Sequence, residues 1–250
     1  IADSTIIPES KRCFYSEEII YMPHTYQPTS HSSVISNKIF TKSEMNLPNH
    51  GFVFCCFNNS YKISLKEFSI WMRILNKVEN SVLWLFNSNK WAKNNLTKEA
   101  ENYGIANNRL IFANQLPHQD HLARLKLADL FLDTFNINAH TTASDALWSG
   151  TPVITKTGNS FASRVAASIL NAIGLSELVV QSEKEYESLV LEIANSPKKL
   201  CKIKETLSSN RLSKPLFNSK VYISNLEDAY KQIFEINLKG KKAKTIHIKP

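Results

Sequence analysis

The stretch RLIFANQLPHQDHLARLKLADLFLDT, residues 109–134, decides the fold. Its ends, RLIFAN (109–114) and LFLDT (130–134), are short apolar runs typical of buried strands, and residues 118–128 between them have a helical pattern. Strands that are apolar on both faces and joined by helices belong in a parallel sheet that is covered on both sides. The stretch is therefore predicted to be one strand–helix–strand unit of an α/β domain.

The same alternation continues on both sides of this stretch. Further apolar runs predict strands at residues 52–57, 81–86 and 152–156, and a short strand at 178–180. Helical patterns are found at residues 64–78, 92–103, 161–173, 184–195, 198–209 and 220–237, and another helix is expected to begin near Thr141 or Thr142. Because such crossovers are right-handed, the sequence predicts a Rossmann-like parallel sheet with helices on both faces. Its ligand site should lie at the carboxyl ends of the strands.

The chain divides into three predicted parts. Residues 1–48 are expected to be the end of an earlier domain followed by a linker at roughly 25–48, since residues 27–38 are rich in Ser, His and Pro. Residues 49–238 hold the α/β domain and its C-terminal helices. Residues 239–250 are a lysine-rich tail that is expected to be solvated. The first residues, IADSTII, read as part of a strand, so a fragment of a longer protein is expected.

Composition restricts the function classes. The 250 residues carry a net charge of +8, but part of the excess lies in the tail and the aromatic residues do not interleave with basic ones. Nucleic-acid binding is therefore not expected. No apolar run reaches the roughly 18 residues of a membrane span, and no leader is visible, so a cytoplasmic protein without membrane contact is expected. Four cysteines without CxxC spacing indicate reduced thiols rather than a disulfide framework or a zinc site.

Glycine is too scarce for the common nucleotide-binding loops. The six glycines include neither GxGxxG nor GxxxxGK[ST], which counts against nicotinamide, flavin and P-loop sites. A phosphate could instead be held at a helix N-terminus, where free N–H groups and the positive end of the helix dipole favour anions.

The stretch NAHTTASDALWSG, residues 138–150, offers such a terminus. Thr141 or Thr142 could cap the helix and direct hydroxyls and N–H groups towards an anion, with His140 beside them. Asp145 lies within the first turns, where its carboxylate could accept hydrogen bonds from a sugar hydroxyl. The alternative is a purely structural capping box, Thr142 with Asp145, and His140 as a loop residue.

Two further polar segments follow the first and third predicted strands of the α/β domain. FNNSYK, residues 57–62, comes directly after the first strand of the domain, and its asparagine and serine side chains and Lys62 could meet phosphate oxygens. His121 and Arg124 are three residues apart on one helical face and could stack on and bond a base. Taken alone, the residues of each segment are more often surface residues, but all the candidates lie at the same edge of the predicted sheet.

These segments also resemble a known family. FCCFNNSYKIS, NRLIFANQLPHQDHLARLKLADLFLDT, AHTTASDALWSGTPVIT and FASRVAASILNAIGLSELV resemble the C-terminal half of glycosyltransferase family 41. That family contains protein O-GlcNAc transferases and SPINDLY-type O-fucosyltransferases. The resemblance covers most of the chain and implies a GT-B architecture of two Rossmann-like lobes. This chain would be the C-terminal, donor-binding lobe of a bacterial-type enzyme, working with its own N-terminal catalytic lobe and tetratricopeptide repeats.

The resemblance implies roles for the phosphate-facing residues. Asn59 and Lys62 would contact the donor diphosphate, and His140, Thr141 and Thr142 would hold phosphates at the helix start. The implied reaction is inverting transfer of a sugar, with UDP-GlcNAc as the expected donor, to Ser or Thr hydroxyls of an acceptor protein. Lys62 would be the catalytic residue, because its charge stabilises the leaving diphosphate. Neither a cofactor nor a metal is expected.

The resemblance also implies a nucleoside site. His121 would lie against the base with Arg124 beside it, and Asp145 would bind the ribose. His118 stands where the animal O-GlcNAc transferases have a lysine near the ribose, so GDP-fucose remains an alternative donor. A non-catalytic nucleotide-binding or scaffold domain, and a basic nucleic-acid-binding domain, are the alternatives from other classes.

Overall fold

The computed structural model describes residues 1–250, which form eight strands and eight α-helices. The strands are Ile20–Tyr21 (β1), Val53–Cys56 (β2), Val82–Phe86 (β3), Leu110–Ala113 (β4), Leu130–Leu132 (β5), Val153–Lys156 (β6), Val179–Val180 (β7) and Ile246–His247 (β8). The helices are Leu65–Lys77 (α1), Lys90–Asn102 (α2), His118–Leu125 (α3), Thr141–Ser149 (α4), Val165–Ile173 (α5), Glu183–Ala194 (α6), Pro197–Ser213 (α7) and Ser219–Leu238 (α8).

Six of the strands form one parallel sheet in the order β4-β3-β2-β5-β6-β7. The order reverses between β2 and β5, and at such a point the loops leaving the two strands diverge and open a crevice. Right-handed crossovers place α1 and α2 on one face and α3, α4 and α5 on the other. Contacts of α1 with α6, and of α3 with α4, agree with this layering. The predicted doubly wound α/β fold is therefore confirmed.

The core lies on both faces of this sheet. All four residues of β2 are buried, and so are the first four of β3, which is why both strands read as continuous apolar runs. Trp71 on α1, Trp84 on β3 and Tyr186 on α6 are among the largest fully buried side chains. Helix α1 begins with a capping box between Ser64 and Glu67, so its buried face starts directly after the polar loop that follows β2.

Helix α4 is short because features of the sequence determine where it begins and where it ends. It begins directly after the loop that leaves β5 and ends at Gly150, whose φ of 92° is a left-handed conformation that costs glycine no steric strain. Between these ends Ala143, Ala146 and Leu147 are buried against the domain. The first turn of α4 is thereby fixed at the carboxyl edge of the sheet.

The predicted solvated tail is wrong for its last residues. Ile246 and Ile248 are buried, and β8 pairs in parallel with β1 in a separate two-stranded sheet. These two isoleucines pack with Ala229 of α8, a contact between residues far apart in sequence. A lysine-rich composition gave no sign of this pairing, since only alternate side chains of the strand are buried. No helix is both long enough and apolar enough to cross a bilayer.

Candidate functional site

Two loops meet at the reversal point of the sheet, and one buried side chain joins them. Asn58, directly after β2, accepts a 2.6 Å hydrogen bond from Oγ1 of Thr142 in the first turn of α4. Its amide nitrogen donates to Oγ1 of Thr134, after β5, over 2.7 Å. The predicted contact residue Asn59 is its exposed neighbour. The sequence singled out Asn59 and missed Asn58, because a run of two asparagines in a loop does not show which one turns inward.

Lys62 carries the positive charge at this junction. Its Nζ donates to the backbone oxygen of Asn138 over 2.9 Å, so the ammonium lies beside the entry to α4. Lys62 is partly buried and forms no ion pair. Burial lowers the pKa of Lys62, and the nearby Asp133 acts in the opposite direction. A partly desolvated ammonium without a carboxylate partner is available to a bound anion.

The start of α4 differs from the prediction. His140, and neither threonine, occupies the N-cap position, and its side chain makes no capping bond. Thr141 is exposed in the first helical position, while Thr142 is turned towards Asn58. The capping-box alternative is also wrong, because Asp145 is bonded to His118 instead. The first N–H groups of α4 therefore have no side-chain acceptor within the chain and can face a ligand.

His140 adds an unpaired nitrogen to this surface. Its Nε2 is buried and has no hydrogen-bond partner. Burial and the charge of Lys62 both lower the pKa of His140, whereas a bond with the backbone of Ala162 raises it. The bond with Ala162 uses the Nδ1–H group, so in the neutral ring Nε2 is an acceptor, and it can donate to a phosphate oxygen only when the imidazole is protonated.

Asp145 and His118 connect α4 to α3. The His118 Nε2 and Asp145 Oδ1 atoms are 3.1 Å apart, with the carboxylate mostly buried and the imidazole more than half exposed. Burial raises the pKa of Asp145, and the bond with His118 lowers it in part. The other carboxylate oxygen of Asp145, Oδ2, makes no hydrogen bond within the chain and is free to accept one from a hydroxyl.

Beside this pair lies a cavity of about 350 Å³. Its lining is mixed aromatic and polar, consisting of Phe57, Phe86, Gln115, Leu116, His118, His121 and Arg124. The guanidinium of Arg124 is almost completely buried, lies over the Phe57 ring at 5.2 Å, and donates to the backbone oxygen of Asn114 over 2.6 Å. Arg124 is therefore a fixed part of the cavity wall. The alternative interpretation from the sequence, that it is a surface residue, is wrong.

Arg124 also determines the tautomer and the protonation state of the His121 imidazole. Its Nε donates to His121 Nδ1 over 3.1 Å, which assigns the imidazole proton to Nε2. Burial, followed by the charges of Arg124 and His118, lowers the pKa of His121 to about 4, so the ring is neutral at physiological pH. Phe57 packs edge-on against it at 4.8 Å. His121 is thus a fixed, neutral aromatic surface of the kind that suits a planar ring.

Asp133 is a buried carboxylate that the sequence did not single out. It ends β5 with no exposed surface and accepts hydrogen bonds from Thr155, Ala139 and Thr134. Burial raises its pKa to about 7 although these bonds lower it. The sequence did contain one indication that Asp133 has a specific role. Its carboxylate lies within the apolar run FLDTF, and charged residues are rarely fully buried without a specific reason.

A larger cavity, of about 980 Å³, lies elsewhere, at the amino ends of the strands. Its most prominent charge, Arg109, already donates to the backbone oxygens of Leu75, Val78 and Ser81. The guanidinium therefore ties the end of α1 to the following turn. The chemically equipped site is the smaller cavity and the α4 terminus at the opposite edge.

Comparison with known proteins decides the family. The model for glycosyl transferase family 41 matches residues 27–226, most of the chain. The chain belongs to glycosyltransferase family 41. Among curated relatives of this family 41 chain, the probable UDP-N-acetylglucosamine–peptide N-acetylglucosaminyltransferase SEC of Arabidopsis thaliana is 32% identical over 246 residues. The UDP-N-acetylglucosamine–peptide N-acetylglucosaminyltransferase of Caenorhabditis elegans is 35% identical over 195 residues.

These matches cover 96% and 78% of the family 41 chain, but only 25% and 17% of the two relatives. The chain thus spans about a quarter or less of the length of the curated relatives that it matches. Among solved structures, a mutant of the Thermobaculum terrenum O-GlcNAc transferase superposes with a TM-score of 0.79 at 26% identity, over 92% of this chain and 44% of that one.

More distant glycosyltransferases share the fold alone. WaaG, a glycosyltransferase involved in lipopolysaccharide biosynthesis, superposes with a TM-score of 0.58 at 14% identity, over 82% of this chain and 54% of that one. The predicted family and the predicted GT-B lobe are both confirmed.

Proposed function

We propose that this chain is the donor-binding lobe of a protein glycosyltransferase that takes UDP-GlcNAc and supports inverting transfer of the sugar to Ser or Thr hydroxyls. The observation that carries the proposal is the unpaired ammonium of Lys62 at the open N-terminus of α4. The leaving nucleoside diphosphate is an anion. The Lys62 ammonium and the positive end of the α4 dipole lie together at the entry to α4 and would both attract it. The curated relatives named as UDP-N-acetylglucosamine–peptide transferases support the choice of donor and acceptor.

The positions of the polar groups suit the parts of a nucleoside diphosphate in order. Lys62, the first N–H groups of α4 and, when its Nε2 carries a proton, His140 would hold the two phosphates. The free oxygen of Asp145 would accept a bond from a ribose hydroxyl, with His118 fixing the carboxylate. The base would enter the cavity of about 350 Å³ and lie against His121. Asn59 and Thr141, both exposed, are proposed as outer contacts.

The same groups would act in the chemical step. As the bond between the sugar and the diphosphate breaks, negative charge grows on the departing oxygen. A positive charge already fixed at that place stabilises the transition state more than the ground state, because no solvent has to reorganise. Lys62 is the proposed catalytic residue in this sense. No cofactor or metal enters the proposal, and the acceptor and its general base would be held by other parts of the longer protein.

Calorimetry with UDP and UMP tests donor binding. The unsubstituted chain should bind UDP about tenfold or more tightly than UMP, because only UDP has a second phosphate for Lys62. Lys62→Ala should reduce that preference, leaving only the contribution of the α4 N-terminus, and should leave UMP affinity unchanged. Lys66→Ala is the matched control, because Lys66 lies four residues further along the chain, in the first turn of α1, with its side chain 76% exposed. It should bind both nucleotides as the unsubstituted chain does.

Two outcomes would contradict the proposal. Equal affinities of the unsubstituted chain for UMP and UDP would remove the diphosphate site, and an absence of binding to both would remove the nucleotide site. The same titrations with GMP and GDP compare the alternative donor. Tighter binding of GDP than of UDP would replace UDP-GlcNAc by a guanosine nucleotide-sugar such as GDP-fucose.

A further inference from the structure

Asp133 lies behind the proposed phosphate site, where it touches both loops that form the site. Its carboxylate is fully buried at the end of β5, at the point where the strand order reverses. No lysine, arginine or histidine is bonded to it, so the negative charge has no ion-pair partner. Burying an unpaired carboxylate is costly, and only its hydrogen bonds can offset the cost.

The two carboxylate oxygens have different partners. Oδ1 accepts from the backbone N–H groups of Ala139 at 2.6 Å and Thr134 at 2.8 Å, and more weakly from Asn58 Nδ2 at 3.4 Å. Oδ2 accepts only from the hydroxyl of Thr155, at 2.6 Å. Oδ1 therefore gathers donors from both site-forming loops, whereas Oδ2 is anchored to β6 away from them.

Two of the three donors on Oδ1, Ala139 and Asn58, lead to proposed phosphate contacts. Ala139 immediately precedes His140 and the first turn of α4, so its bond fixes where that turn begins. Asn58 holds the hydroxyl of Thr142 through its other amide atom. Asp133 thus acts on the site from two directions without touching the ligand.

We propose that Asp133 is a positioning residue for the donor diphosphate, holding the loop after β2 and the N-terminus of α4 in the relative placement that lets both address the second phosphate. The inference rests on the proposed function, because it concerns the same site. Loss of Oδ1 would release the backbone of the loop before α4 and loosen Asn58. The base cavity is built largely from other elements and would be retained.

Three variants separate this role from general stability. Asp133→Ala removes both oxygens. Asp133→Asn keeps one oxygen for the N–H donors and turns its NH₂ towards the Thr155 hydroxyl, which can rotate to accept. Thr155→Val is the matched control, since it breaks only the Oδ2 bond and has almost the same shape.

Calorimetry of the full 250-residue chain with UDP and UMP gives the first measurement. Asp133→Ala should reduce the ratio of UDP to UMP affinity about tenfold, the change expected when one or two phosphate hydrogen bonds are lost. Its UMP affinity should stay within about threefold of the unsubstituted chain. Asp133→Asn and Thr155→Val should retain the ratio. If Asp133→Ala does not fold, Asn58→Ala breaks the same connection nearer the ligand and should lower the ratio in the same way.

Hydrogen exchange on the ligand-free chain gives a second measurement that needs no nucleotide. Asp133→Ala, or Asn58→Ala in its place, should speed exchange in residues 57–62 and in residues 138–143 together, whereas Thr155→Val should not. Faster exchange confined to one of these two segments would overturn the inference. So would an unchanged affinity ratio, or an equal loss of UMP and UDP affinity. If the unsubstituted chain binds neither nucleotide but the exchange pattern is found, the proposed function falls and the coupling of the two loops stands.

Discussion

Replacing Asp133 with asparagine should change how stability depends on pH. Burial raises the pKa of Asp133 to about 7 in the folded chain, whereas an unfolded aspartate has a pKa of about 3.9. Between these values the folded state binds more protons than the unfolded state, so the free energy of unfolding falls as the pH rises. Above about pH 7 both states are deprotonated and the fall stops. The asparagine side chain does not titrate, so Asp133→Asn should lack this component.

The size of the effect follows from the same two pKa values. They differ by about three pH units, and each unit corresponds to about 1.4 kcal/mol, which gives at most about 4 kcal/mol. Cys56 and Tyr186 do not obscure it, because the ordinary pKa of each lies above this range and burial raises it further. Burial also lowers the pKa of Lys62, His121 and His140, but these residues are the same in both proteins and their contributions cancel in the difference.

Urea unfolding followed by circular dichroism, at intervals from pH 4.5 to 8.5, measures this component. The free energy of unfolding of Asp133→Asn minus that of the unsubstituted chain should rise with pH by several kcal/mol and level off above about pH 7. Thr155→Val should raise the plateau pH, because it removes a hydrogen bond that lowers the pKa of Asp133. A difference that stays constant over the whole range would show that Asp133 is ionised in the folded chain throughout, and the account of its burial would be refuted.

Two further predictions concern catalysis and the backbone. In the longer enzyme, Lys62→Ala should lower kcat by about 100-fold or more, whereas Asp145→Ala should mainly raise the donor KM, because the ribose is remote from the breaking bond. Steady-state kinetics that show only a KM effect for Lys62→Ala would make it a donor anchor. Gly51→Ala should destabilise the chain by several kcal/mol more than Gly104→Ala, since both have positive φ but only the Cβ at 51 meets a backbone oxygen, that of Asn80 at 1.9 Å. Equal melting temperatures of the two variants would contradict this.

The site was predicted in part, and the outcome for each residue has a physical reason. Parallel strands joined by helices all end at one edge of the sheet. The sequence therefore correctly predicted that Lys62, His121 and Asp145 lie at that edge. Which asparagine after β2 faces inward depends on backbone angles within a short loop, and only the fold shows that Asn58 is the buried one. The N-cap at His140 is a similar case, because two adjacent threonines fit the pattern of a cap equally well.

The sequence by itself determined the class of fold, the bounds of most helices and strands to within a few residues, the family, and the edge at which a ligand would lie. The fold class, the bounds and the edge depend on local periodicity and on chain connection, whereas the family follows from the resemblance of whole segments. Only the tertiary structure decided the burial of Asp133 and Arg124, the pairing of Asp145 with His118, and the return of β8 to β1. Each of these depends on groups that are brought together from distant parts of the chain, where the free energy of burial and of hydrogen bonding is set by partners that no local pattern identifies.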